Sequence, residues 1–192
     1  MARHKGLSFY RRKKKWNIAL IKEIFSWLAG ILVALFLAGV LNYFFGMRIG
    51  MVGVSMEPEL INGQMVLIDR FSYSLFGPKD GDVIVFLPNG NKNSHYYMKR
   101  VVATAGDKVQ IIDGVLYVNG EVSPWVSETI LDGGICENQL VLKFGEYFCI
   151  GDNPNNSEDS RSANIGPIGE EDIVGRAWFK LKQGREKAGF IK

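Results

Sequence analysis

The sequence predicts a mostly β protein: a folded-over antiparallel β domain behind one N-terminal membrane-spanning helix. Three observations predict it. Residues 24–47 form an apolar run without a single charge. Beyond it, helical periodicity gives way to short runs rich in Val, Ile, Phe and Tyr, punctuated by Gly, Pro, Asn and Asp. And the 192 residues carry two tight-turn dipeptides, Asp113-Gly114 and Asn119-Gly120, between such runs.

The first element is a basic tail. Residues 1–23 hold eight basic side chains, among them the unbroken run Arg11, Arg12, Lys13, Lys14 and Lys15, and one acid, Glu23. The net charge of +3 therefore hides a remainder of net −4. A basic tail without a basic folded face excludes nucleic acid as the expected partner and suits anionic membrane lipid.

Residues 24–47 follow as the anchor. About 20 residues at about 1.5 Å rise cross a hydrocarbon core of roughly 30 Å. No polar stripe of a surface helix interrupts the run. Trp27 and Tyr43 near its ends suit the two interfaces, and the basic cluster before it places the N-terminus in the cytoplasm. A cleaved signal peptide fits less well: its apolar core is usually shorter, and M-R-I-G-M follows here instead of a small-residue cleavage site. Residues 48–192 then form an extracytoplasmic domain of the cell membrane.

In that domain strands are expected at 48–52, 64–69, 82–86, 96–103, 108–112, 115–118, 147–150 and 173–181. Asp113-Gly114 closes a two-residue hairpin, and K-D-G-D at 79–82 turns the chain into another strand. The polar stretch 153–163 reads as a surface linker or as part of a site. Cys136 and Cys149 are too few for a disulfide scaffold; Cys149 in Y-F-C-I suits a buried thiol, and a bridge between the two stays open.

One hydroxyl stands out. Ser55, in G-V-S-M-E-P, lies just beyond the anchor between apolar residues. A serine needs a base to become a nucleophile. The chain has two histidines, His4 in the tail and His95 at a loop edge. The other route is a lysine, whose pKa of about 10.4 falls when burial strips hydration from its charged form. Lys99 in Y-Y-M-K-R-V-V sits inside a strand pattern. Alternation puts Tyr97, Lys99 and Val101 on one face, and Arg100 on the other, free to seek a carboxylate. By pattern alone, a strand lysine is more often solvent-facing.

S-M-E-P at 55–58, Y-M-K-R-V-V at 97–102 and G-D-N-P-N-N-S-E-D-S-R at 151–161 occur in this order after an anchor. Together they resemble the bacterial type I signal peptidases, membrane-anchored Ser/Lys endopeptidases that remove signal peptides from exported preproteins. D-G-D-V-I-V-F at 80–86 and I-V-G-R-A-W-F at 173–179 also look like segments of that family, so the likeness covers most of the chain. It implies a signal-peptidase-like fold, Ser55 as nucleophile and Lys99 as general base. It implies that Ser157 orients the lysine amine, that Asp159 pairs with Arg161, and that Asp152 pairs with Arg100. The Ser55 N–H would serve the oxyanion hole. The family often supplies a second hydroxyl two residues before the nucleophile; Gly53 stands there, so the second donor must be water or another backbone N–H. Pro154 replaces a basic residue frequent after G-D-N.

The resemblance implies preprotein signal peptides as partners, with small residues at the first and third positions before the cut. The substrate is expected to add as a strand near Ser55 or near residues 82–86. No metal or cofactor is called for. The rival readings are a Ser/His protease using His95, a self-cleaving repressor, which would need a DNA-binding domain, and a membrane-anchored peptide-binding or assembly module that has lost catalysis.

Overall fold

The computed structural model describes residues 17–91 and 93–191. The basic residues from Arg3 to Lys15, with His4, lie outside the described residues. The chain divides into two compact units, one ending at Val40 and one beginning at Leu41.

Helix α1, Ile18–Phe45, begins before the charge-free run and takes in Lys22 and Glu23. Its 28 residues span about 42 Å at the α-helical rise. None of them is buried, and apolar side chains face outward all round. Among the described residues it is the helix long and apolar enough to cross a membrane.

The second unit is antiparallel β throughout its pairings. Its strands are β1 (Met47–Gly50), β2 (Met65–Asp69), β3 (Val83–Phe86), β4 (Tyr97–Ala103), β5 (Lys108–Ile112), β6 (Val115–Val118), β7 (Glu121–Val122), β8 (Leu140–Val141), β9 (Glu146–Ile150), β10 (Ile168–Gly169), β11 (Ile173–Lys180) and β12 (Gly189–Phe190). The larger sheet runs β1-β2-β11-β3-β4-β9-β10, with β12 added to β11; the smaller runs β7-β6-β5-β8. All eight expected strands are present, most with ends shifted by a residue or two. The two turn dipeptides close hairpins as their chemistry requires: Asp113 and Gly114 have φ of 50° and 78°, Asn119 and Gly120 of 54° and 85°.

The buried run V-I-V-F makes β3 central. Val83 and Val85 pack with Met51, Met56, Leu60, Val66, Ile68 and Met98 on one face. Ile84 and Phe86 pack with Val101, Cys149, Ile168 and Ile173 on the other. A third cluster, including Val109, Leu116 and Phe148, backs the smaller sheet. Because β3 lies between β11 and β4, both of its edges are occupied. A substrate strand expected near residues 82–86 therefore has no edge of β3 itself to pair with. Cys136 and Cys149 are free thiols in different clusters.

Helix α2, Phe71–Phe76, has no counterpart among the expected elements. Asp69 nucleates it, accepting the Phe71 and Ser72 N–H groups on Oδ1 at 3.0 Å each.

Gly81 carries a testable constraint. Its φ is +87°, and an added Cβ would lie 2.3 Å from the Trp125 ring. That ring in turn lies under the Arg100 guanidinium, 5.4 Å from centroid to carbon. Gly81→Ala combines backbone strain with overpacking against a rigid ring. It is expected to cost about 2–4 kcal/mol in a urea unfolding experiment. A change within error of zero would mean that Trp125 does not hold this position.

Candidate active site

Ser55 sits on a tight turn rather than a strand. The Glu57 N–H donates to Val54 O at 3.1 Å and the Leu60 N–H to Met56 O at 2.8 Å. Met56 and Leu60, both fully buried, pin that turn into the core. Ser55 itself is 8 % exposed. On its other side, the Asn153 N–H donates to Ser55 O at 3.0 Å and Asn153 Nδ2 to Val54 O at 3.3 Å. Gly53 has φ of +86°, a conformation that a residue with a Cβ adopts only with strain. Its N–H donates to Asn62 Oδ1 at 3.0 Å, so it is engaged within the loop.

Lys99 comes from β4, opposite Ile84 in the register with β3. It is 4 % exposed. Its Nζ lies 2.6 Å from Ser55 Oγ and 5.6 Å from the Tyr97 ring centroid. Burial lowers the amine's pKa from 10.5 to about 8. The carboxylates of Asp159 and Glu158 pull it back up, and the Arg161 guanidinium pushes it down. Desolvation wins because no carboxylate is bonded to the amine while nearly all of its hydration is gone.

The loop after β9 frames this pair. Asp159 accepts Arg161 Nε at 2.8 Å, the Gly151 N–H at 3.1 Å and the Ser157 hydroxyl at 2.6 Å. The Ser157 hydroxyl thus donates to Asp159, while the hydrogen bond of Lys99 Nζ is to Ser55 Oγ. The Arg161 guanidinium also donates to the carbonyls of Asp132 and Pro154. Behind β4, Arg100 makes a two-pronged contact with Asp152, Nε and Nη2 each at 2.7 Å, and donates to Gly81 O. Gly151 is required for close approach: an added Cβ would lie 2.4 Å from both Ser157 Oγ and Ser55 O.

A buried serine–lysine contact framed by a carboxylate–guanidinium cage suits acyl transfer, and sequence comparison decides the family. The family described as signal peptidase, peptidase S26, matches residues 24–181. The chain belongs to that family. The signal peptidase IB of Staphylococcus aureus strain COL is 32% identical over 177 residues, covering 83% of this chain and 90% of its own. The signal peptidase I P of Bacillus subtilis subsp. natto is 31% identical over 173 residues, covering 85% and 89%. A crystal structure of a signal peptidase I from Enterococcus faecalis V583 has 25% identity and a TM-score of 0.38, covering 52% of this chain and 95% of its own. This protein is a membrane-anchored signal peptidase I, a serine endopeptidase whose substrates are signal peptides.

In this signal peptidase the cleft beside the pair holds about 190 Å³ and is lined by residues 51–55, 95–99, Asn156 and Glu158. Its β4 wall has an unused edge. The β3 pairing covers residues 97–100, whereas the β9 pairing begins at Arg100, leaving residues 97–99 with a free edge among the described residues. His95 is exposed and stacks on Tyr97 at 5.0 Å, on the rim of the cleft. The structure brings Ser55, Lys99, Ser157, Asp159 and Arg161 together and sets Arg100 with Asp152 behind them. Sequence reasoning missed Asn153, which fastens the serine's backbone, Asn62, which fastens that of Gly53, and the packing role of Gly151. The signal for Gly151 and Asn153 was present in G-D-N, directly after a strand.

Proposed function

We propose that Ser55 attacks the scissile carbonyl and that Lys99, neutral and buried, is its general base. The observation that carries this reading is the 2.6 Å separation of Lys99 Nζ and Ser55 Oγ in a site that lowers the amine's pKa to about 8. The substrate strand lies between residues 51–54 and the free edge of residues 97–99, where backbone pairing supplies affinity and shallow space beside Ser55 selects small side chains. Lys99 takes the serine proton, gives it to the leaving amine, and then activates the water that hydrolyses the acyl-enzyme. Ser157 positions the amine through its lone pairs. Asp159 with Arg161, and Asp152 with Arg100, hold the frame. The Ser55 N–H faces the developing oxyanion. The second donor is water or another backbone N–H, because the Gly53 N–H is engaged with Asn62.

In the same reading, residues 1–23 stay in the cytoplasm against anionic lipid, residues 24–47 cross the cell membrane once, and residues 48–192 act outside it.

The pH dependence tests the base. Lys99 must shed its proton before it can accept one, so kcat/KM rises with pH, inflects near 8 and levels off above. His95→Ala should keep both the inflection and the rate. A profile flat from pH 6 to 10, or an inflection that disappears in His95→Ala, would exclude Lys99 as the base. The experiment that settles the cleavage point is incubation of the purified full chain with one preprotein in detergent, followed by sequencing of the new N-terminus.

A further inference from the structure

A second cavity is larger than the cleft beside Ser55. It holds about 500 Å³ between Leu131, Asp132 and Ile135 on one wall and Ser157, Glu158 and Ala163 on the other. Glu158 belongs to both concavities, so the wall between them is the short segment 156–158.

Ser55 stands at that wall. Its carbonyl accepts the Asn153 N–H, and the space between Ser55 O and Ser157 Oγ is so small that only the hydrogen of Gly151 fits there. The 190 Å³ cleft reaches away from this junction along residues 51–54 and 96–98. Its size suits the small residues before the cut. An extended peptide held there that passes Ser55 and crosses residues 156–158 enters the larger cavity.

The chemistry of the cavity also suits a peptide. Leu131, Ile135, Pro154 and Ala163 give it apolar walls, and Leu131 is 83 % exposed. The Arg161 guanidinium on its floor is offset by Asp159 and occupied by the carbonyls of Asp132, Pro154 and Ser157. Asp132 and Glu158 add carboxylates to the lining, and Glu158 Oε2 also accepts the Tyr97 hydroxyl at 3.3 Å, on the side of the smaller cleft.

We infer that this cavity receives the first residues of the mature chain, those just after the cut, and that Glu158 favours a basic over an acidic side chain among them. The inference rests on the placement of Ser55 as nucleophile and of the preceding residues in the smaller cleft. It adds a second determinant of site choice, on the side of the bond that the small-residue pockets do not read.

The test uses the full chain in detergent and two sets of peptides with identical residues before the cut. One set ends one residue after the cut; the other extends five residues, with Lys, Ala or Glu at the second to fourth positions. Cleavage is followed by chromatography. The long Lys peptide is expected to exceed the short one in kcat/KM by about tenfold or more, and the long Glu peptide by about threefold or more. Ala163→Trp, which fills the cavity away from the serine and lysine, should reduce the length advantage to about twofold and leave the short peptide unchanged. Leu131→Trp carries the same prediction from the opposite wall should Ala163→Trp fail to fold. Glu158→Lys should reverse the Lys-to-Glu preference, a ratio in which any effect on Lys99 cancels. Equal rates for short and long peptides, or a length advantage and charge ratio untouched by these variants, would overturn the inference while leaving the catalytic assignment intact. Cleavage by Ser55→Ala would instead overturn the assignment on which it rests.

Discussion

Lys99→Met is expected to lower kcat/KM by about 10⁴- to 10⁶-fold, as Ser55→Ala should, because nucleophile and base act as one unit and losing either loses nearly all of the acceleration. Methionine keeps the length and apolar stem of the lysine and removes only the amine. Lys99→Arg should fail as well, since a guanidinium stays charged and cannot accept the serine proton. Processing of a preprotein by any of the three near the wild-type rate would remove Lys99 or Ser55 from the mechanism. Stability provides an independent readout. The folded amine has a pKa of about 8 against 10.5 for an ordinary lysine. Between those values the unfolded chain binds the extra proton, so the wild type gains stability as pH rises from 8 to 10.5 and carries the full penalty below 8. Lys99→Met has no such penalty. It should be more stable than the wild type at pH 6, by on the order of 3 kcal/mol, with the gap closing by pH 11. A gap independent of pH would show that the amine is not held dry.

That dryness could not be read from the lysine's own neighbours in sequence. Strand alternation placed Tyr97, Lys99 and Val101 on one face, but a face becomes apolar only through what packs on it from elsewhere. The Ser55 turn, β3 and the loop after β9 supply that cover, and they lie 44, 15 and about 60 residues away. The order of motifs, through their resemblance to a family, named the pair; the pattern alone favoured a solvated lysine. Local features were legible where local chemistry decides them. The Asp113-Gly114 and Asn119-Gly120 hairpins need only positive φ and adjacent β-formers, and the V-I-V-F run announced a strand. That this strand is internal was not legible, because sheet order depends on β11, nearly ninety residues downstream. Helix α2 escaped notice because six residues, F-S-Y-S-L-F, show no helical period. A single Asp69 side chain starts the helix, and in sequence that aspartate reads as the end of β2. The two-residue strands β7, β8, β10 and β12 are fixed by their partners rather than by any propensity of their own.

Arg161→Met should be the most damaging substitution for the fold. Arg161 and Asp159 are 6 % and 1 % exposed, so neither charge is hydrated, and each is tolerated because of the other. Removing the guanidinium leaves the Asp159 carboxylate buried without its cation. It also leaves the Asp132 and Pro154 carbonyls without their donor. Breaking such a pair from one side costs about 3–5 kcal/mol. The consequence reaches the chemistry through three short links: Asp159 holds the Gly151 N–H and the Ser157 hydroxyl, Gly151 packs on Ser55 O, and Asn153 in the same loop fastens that carbonyl. Cleavage and thermal stability should therefore fall together in Arg161→Met, unlike in Lys99→Met. The double variant Arg161→Met/Asp159→Asn separates charge from shape. Its asparagine can still accept from Gly151 and Ser157, and no unpaired charge remains inside. It should recover part of the stability lost in the single variant, because the largest component of that loss is the stranded carboxylate rather than the missing bonds. Unfolding midpoints of the wild type, the two single variants and the double variant form a complete cycle. Strictly additive midpoints would mean that the two side chains stabilise the loop independently, and that the buried ion pair is not what holds it against the serine.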